Sequence, residues 1–187
     1  MSSREAIVLP GGQFGPFAPL LMFAGDAAER REAAVTRVWW DDYDRPLTLQ
    51  PEERGPWVVQ QVERAVPSLR SVDRSGQATL LIGKSLGTHA ATLAAELGFP
   101  AIWLTPVLTS DWVVSALRQS TAPFLLVGGT ADALWEPEIA RELTPHVLEI
   151  DGADHGMYVP GPLAASTAVL GQVATAVEDF LDKAVWP

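Results

Sequence analysis

The chain contains no cysteine. Disulfides, thiol nucleophiles, zinc–cysteine sites and iron–sulfur clusters are therefore excluded. Histidine is scarce, with three in 187 residues, so imidazole chemistry has few sources. Basic residues are few as well: 13 Lys and Arg stand against 23 Asp and Glu, for a formal net charge of −10. They are scattered rather than gathered into a stripe, so no nucleic-acid partner is expected. Long apolar runs are missing too. No stretch approaches the roughly 18 residues of a membrane span. The early run AIVLP is too short for a signal-peptide core. The expectation is a cytoplasmic protein without a membrane partner.

Hydrophobic residues make up 48% of the chain and charged residues 19%, a globular balance. Such a length buries one sizeable core, and residues 1–187 read as one domain. Short apolar runs alternate with longer amphipathic ones. Ala6–Pro10, Val35–Trp40, Ala78–Ile82, Ala101–Leu104, Pro123–Val127 and Val147–Ile150 predict strands. Phe17–Ala34, Glu52–Val72, Leu86–Leu97, Asp111–Gln119, Pro137–Leu143 and Leu163–Ala184 predict helices, with 41–51 a polar loop. Pro67 is expected to end or kink the second helix, and Gly98 to close the third. Strands that are apolar throughout, with helices between them, indicate a parallel sheet covered on both faces. The fold class expected is α/β: a doubly wound, mostly parallel sheet of about six strands, helices on both faces, and no lid domain. In such sheets chemistry gathers just after the strands, at their carboxyl ends.

After the strand ATLLI comes Gly83-Lys84-Ser85-Leu86-Gly87, then a helix. This is G-x-S-x-G in a strand–turn–helix context. A serine on so tight a turn holds its hydroxyl clear of the sheet, and small neighbours let strand and helix pass closely. Gly83-Lys84-Ser85 is also the tail of a phosphate-binding loop. That loop needs a glycine where this chain has Ala78, and the residues between are strand.

A serine hydroxyl attacks well only when a base takes its proton. His89 lies one helical turn after Ser85 and shares a face with Leu86, Ala90 and Leu93, so it reads as a core histidine. His146 precedes a strand, at the wrong end of the sheet. His155 follows the strand VLEI, at the same end as Ser85, and is the candidate base. Asp132 follows PFLLV in GGTADALW and is the candidate orienting acid, with Asp111 the runner-up. The order Ser, Asp, His is that of α/β-hydrolases. A tetrahedral intermediate also needs two N–H donors. One candidate is Leu86, and the other is Gly12 or Gln13 in the loop after the first strand.

GKSLG, GGTADALW and GADHGM, taken together in this order, resemble the α/β-hydrolase superfamily over nearly the whole chain. The resemblance implies hydrolysis through an acyl-enzyme, on esters, thioesters, lactones or amides, with no cofactor and no metal. Two departures stand out. Pro10-Gly11 occupies the place where many members carry His-Gly, and the first hairpin of the larger members is missing. Between Leu104 and Pro123 there is room for one short helix only, so the chain resembles the small uncapped members. An uncapped cleft is expected to be open and shallow. Its expected lining is Phe14, Phe17, Trp112, Trp135, Met157 and Tyr158, each with a place in the core as its alternative, facing a small-molecule acyl substrate. Lys84 is expected to be a salt-bridged structural residue, with a site cation as the alternative, and at least one of Trp39 and Trp40 to be core. The function expected is carboxylic ester hydrolysis. The alternatives are the same triad used for acyl transfer or C–C bond hydrolysis, and a non-catalytic binding protein on the same fold.

Overall fold

Apolar runs long enough for a strand, each followed by an amphipathic run, leave the chain one economical arrangement: parallel strands joined by helices that cover them. The computed structural model describes residues 3–71 and 77–187. Strands β1 (Ser3–Leu9), β2 (Ala34–Arg37), β3 (Gln77–Lys84), β4 (Ala101–Leu104), β5 (Phe124–Gly129) and β6 (Val147–Ile150) pair in the order β2-β1-β3-β4-β5-β6. Every pair is parallel. The helices are α1 (Pro19–Glu29), α2 (Arg45–Thr48), α3 (Pro51–Ala65), α4 (Ala91–Leu97), α5 (Asp111–Gln119), α6 (Pro137–Leu143) and α7 (Leu163–Phe180).

The period-2 pleat sorts the strand side chains into two cores. Ile7, Leu9, Leu81 and Trp103 face α3, α4, α5 and α6. Ala6, Val8, Leu80 and Ile82 face α1 and α7. Burying each large apolar side chain stabilises the fold by about 1.5–3 kcal/mol. From β1 the chain moves outward to β2, then returns to the other side of β1 for β3. The loops after β1 and β3 therefore diverge and leave a crevice at the carboxyl edge.

The elements differ from the sequence expectation at their ends. Helix α1 stops at Glu29, and Glu32 at φ 62° turns the chain into β2. Strand β2 ends at Arg37, so Trp39 and Trp40 lie beyond it; Trp40 is buried and Trp39 exposed. The 41–51 segment contains the short α2, started by Pro46. Val72, the expected end of α3, lies outside the described residues, and the helix itself ends at Ala65. The helix after Ser85 begins as a tight 3₁₀ segment, Ser85–Ala90. There the Ser85 and Leu86 carbonyls bond the Thr88 hydroxyl and the His89 ring. The last helix passes into a π-helical turn, Leu181–Val185. Among the described residues no helix is long and apolar enough to cross a membrane.

Candidate active site

Ser85 is the first residue after β3, at φ 50°, a left-handed conformation that costs a non-glycine residue about 1–3 kcal/mol. Its neighbours explain how the turn survives. A Cβ on Gly87 would lie 2.6 Å from the Leu9 carbonyl oxygen, and one on Gly83 2.6 Å from the Trp103 ring. Only glycine lets the elbow pass so close to β1 and β4. The Thr88 hydroxyl donates to the Ser85 carbonyl at 2.7 Å and accepts from the Val107 N–H at 3.3 Å, tying the elbow to the loop after β4.

The loops after β5 and β6 bring Asp132 and His155 to the same edge. His155 Nε2 lies 2.8 Å from Ser85 Oγ, and its Nδ1 lies 2.7 Å from Asp132 Oδ2. The other carboxylate oxygen, Oδ1, accepts the Leu134 N–H at 2.9 Å. The Asp132 side chain is 2% exposed and that of His155 37%. Burial works to raise the Asp132 pKa, but the His155 ring, the Leu134 N–H and the charge of Lys84 outweigh it, and the carboxyl sits below its usual range. Asp132 is thus an anion at neutral pH, and Nδ1 of His155 carries the hydrogen that it accepts. That leaves Nε2 as a lone pair facing the serine hydroxyl.

Lys84 forms no salt bridge within 4 Å among the described residues. Its Nζ donates to the His155 carbonyl at 3.3 Å. Burial lowers its pKa, while Asp132 and Asp154 pull it back up. It is therefore a tie between the elbow and the β6 loop, rather than the salt-bridged residue expected. His89 is core, as expected, with Nδ1 3.0 Å from the Leu86 carbonyl. Burial pushes its pKa down to about 4, the Leu86 bond opposing and the nearby Arg54 charge adding to the fall.

A cleft of about 480 Å³ opens over Ser85. Gly12, Gln13 and Leu86 line it, so the expected oxyanion donors share its wall. The first loop is held by a bond that the sequence did not signal: Trp40 Nε1 donates to the Gly11 carbonyl at 3.0 Å. Phe14 and Leu47, each 68% exposed, form the cleft's apolar rim. Trp112 lines a second cavity of about 930 Å³, which shares Arg54, His89, Val107 and Leu134 with the first.

Four of the six expected lining residues line neither cavity. Trp135 is 5% exposed and lies on Gly128, where a Cβ would come within 2.1 Å of the indole. Its Nε1 donates to Glu149 at 2.8 Å, so it is a core residue behind the β5 loop. Met157 is 3% exposed and packs into the core under α1 and α7. Phe17 and Tyr158 are exposed but outside the cleft; Phe17 packs beside Trp39 under Arg37. Among the described residues no group of three or more acidic or histidine side chains is placed to hold a metal.

No protein-family model and no curated protein matches the sequence. Solved structures do match the fold. Dienelactone hydrolase from Anabaena variabilis aligns over 98% of this chain and 88% of its own, with TM-score 0.71 and 19% identity. A serine hydrolase without a lid from Xanthomonas campestris aligns over 97% and 82%, with TM-score 0.66 and 17% identity. Est1E from Butyrivibrio proteoclasticus aligns over 98% and 89%, with TM-score 0.70 and 14% identity. The chain has the α/β-hydrolase fold in a minimal, lidless form.

Proposed function

We propose that this α/β-hydrolase fold carries a serine hydrolase that cleaves a carboxylic ester, thioester or lactone through an acyl-enzyme on Ser85. The observation that carries the reading is the unbroken chain Asp132 Oδ2, His155, Ser85 Oγ, with both links at 2.7–2.8 Å. Each partner sits at the carboxyl edge of its own strand.

In the first step Ser85 Oγ attacks the acyl carbonyl while His155 Nε2 takes the hydroxyl proton. Asp132 holds the ring and stabilises the imidazolium. The N–H of Leu86 and that of Gly12 or Gln13 receive the negative oxygen, a contribution typically of order 10²–10³ in turnover per donor. His155 then gives its proton to the leaving oxygen or sulfur as the acyl bond breaks, so that the alcohol or thiol is released. Water, deprotonated by the same Nε2, attacks the acyl-enzyme; its second hydrogen stays on the acid, and the proton on His155 returns to Ser85.

Hydrolysis is favoured over acyl transfer because the His155 side chain is 37% exposed, with no cap to keep water from Nε2. The exposed Phe14 and Leu47 suit an apolar acyl or alcohol part. The test is a single-turnover reaction with 4-nitrophenyl butyrate, followed by intact-mass spectrometry. An adduct of one butyryl group on the wild type, absent from Ser85→Ala, is expected. Release of nitrophenol without an adduct on either protein, at equal rates, would contradict the reading.

A further inference from the structure

Among the described residues, Arg54 is a cation without a counter-ion in the wall of the cleft. Arg31, Arg37, Arg64, Arg70, Arg118 and Arg141 each pair with a carboxylate. Arg54 does not, although it is half-buried. Its Nε is buried without a hydrogen-bond partner, and among the described residues no carboxylate lies within 4 Å of it. Desolvating a guanidinium and leaving it unpaired costs stability, and a bound anion would supply the missing acceptor.

Its position is specific. Arg54 lines both the Ser85 cleft and the cavity beside it, on the seam that it shares with His89, Val107 and Leu134. It is fixed by its own helix. A Cβ at Gly55 would come within 2.2 Å of Trp112, so α3 packs directly against that indole, and Trp112 Nε1 donates to the His89 carbonyl at 3.0 Å. Val107 and Leu134 offer apolar surface on the same seam. His89, beside it, is neutral over the physiological range and does not compete for an anion.

We propose that Arg54 is a specificity-determining residue that receives a free carboxylate on the substrate, so that the preferred esters are half-esters of short dicarboxylic acids. The planar guanidinium matches a carboxylate in a two-point contact. A dianionic phosphate fits less well, because Glu52, Glu96 and Asp111 also line the second cavity and would repel its second charge. The proposal rests on the hydrolase reading above, and its test separates the two.

The experiment compares kcat/KM for 4-nitrophenyl hemiglutarate and 4-nitrophenyl butyrate in wild type, Arg54→Met and Arg54→Lys. Binding of glutarate to the same three proteins is measured by calorimetry, which needs no active serine. A charge-assisted contact of this kind is worth about 10- to 100-fold. The hemiglutarate-to-butyrate ratio should fall by that factor in Arg54→Met and recover in large part in Arg54→Lys, with glutarate affinity following. Arg54→Met keeps the aliphatic stem, and its melting temperature checks the fold. A ratio and a glutarate affinity unchanged in Arg54→Met would overturn the proposal while leaving the hydrolase reading intact. Absence of turnover with Arg54-dependent glutarate binding would retain the anion site and overturn the hydrolase reading.

Discussion

Replacing Asp132 with Asn changes one atom and, by the geometry of the site, inverts a hydrogen bond. Asp132 Oδ1 accepts the Leu134 N–H at 2.9 Å, and Oδ2 accepts from His155 Nδ1 at 2.7 Å. The Leu134 amide can only donate, so an asparagine must turn its carbonyl oxygen to it. Its NH₂ then faces Nδ1, which has to accept. The ring proton moves to Nε2, the nitrogen 2.8 Å from Ser85 Oγ, and the base can no longer take the serine proton. A tautomer error of this kind in a serine triad lowers kcat by roughly 10⁴, or about 5 kcal/mol in the barrier. Stability should change by no more than about 1 kcal/mol, because both bonds and the volume are kept. The assay is 4-nitrophenyl butyrate hydrolysis beside a thermal melt. Activity within tenfold of wild type, in a variant that melts normally, would refute the tautomer argument.

Other perturbations follow from the same geometry. His89 has an ordinary pKa of 6.5 and is pushed down to about 4 in the folded chain. Between those pH values the unfolded chain binds a proton that the folded chain refuses. Stability therefore falls as pH falls through the window, by about 3 kcal/mol in full, and His89→Gln should remove that part of the slope in urea unfolding at pH 7 and 4.5. Gly87→Ala sets a methyl 2.6 Å from the Leu9 carbonyl, which strand pairing holds in place. It should destabilise the protein by about 1–3 kcal/mol in a melt and displace the Leu86 N–H, lowering kcat more than it changes KM. Trp40→Phe removes the bond to the Gly11 carbonyl and should cost about 1 kcal/mol of stability, with a fall in kcat measured on a neutral ester.

The strands were legible because parallel β-strands buried on both faces leave unbroken apolar runs, and ATLLI, AIWL and FLLV are such runs. The meeting of Ser85, Asp132 and His155 was legible for a related reason. Each follows a strand, and parallel strands put every such residue at one edge. Strand and helix ends were less so, since Glu32, Thr88 and His89 set them through local φ and side-chain bonds that periodicity does not register. The lining was only partly readable. Trp135 and Met157 follow strands just as His155 does, but an apolar side chain after a strand can turn to the cleft or to the core. Gly128, seven residues before Trp135, decides that case by leaving room for the indole against β5. Trp112 depends on Gly55, and Arg54 on the seam of two cavities. Both are contacts between distant segments, with no local signature.

The proposed hydrolysis requires Ser85 to be an activated nucleophile. Labelling of the purified protein with a fluorophosphonate probe tests it most directly, because the probe reports the serine without requiring the natural substrate. Covalent labelling of the wild type at Ser85, and none in Ser85→Ala, is expected. Folded wild type that stays unlabelled, or labelling that survives in Ser85→Ala, would contradict it.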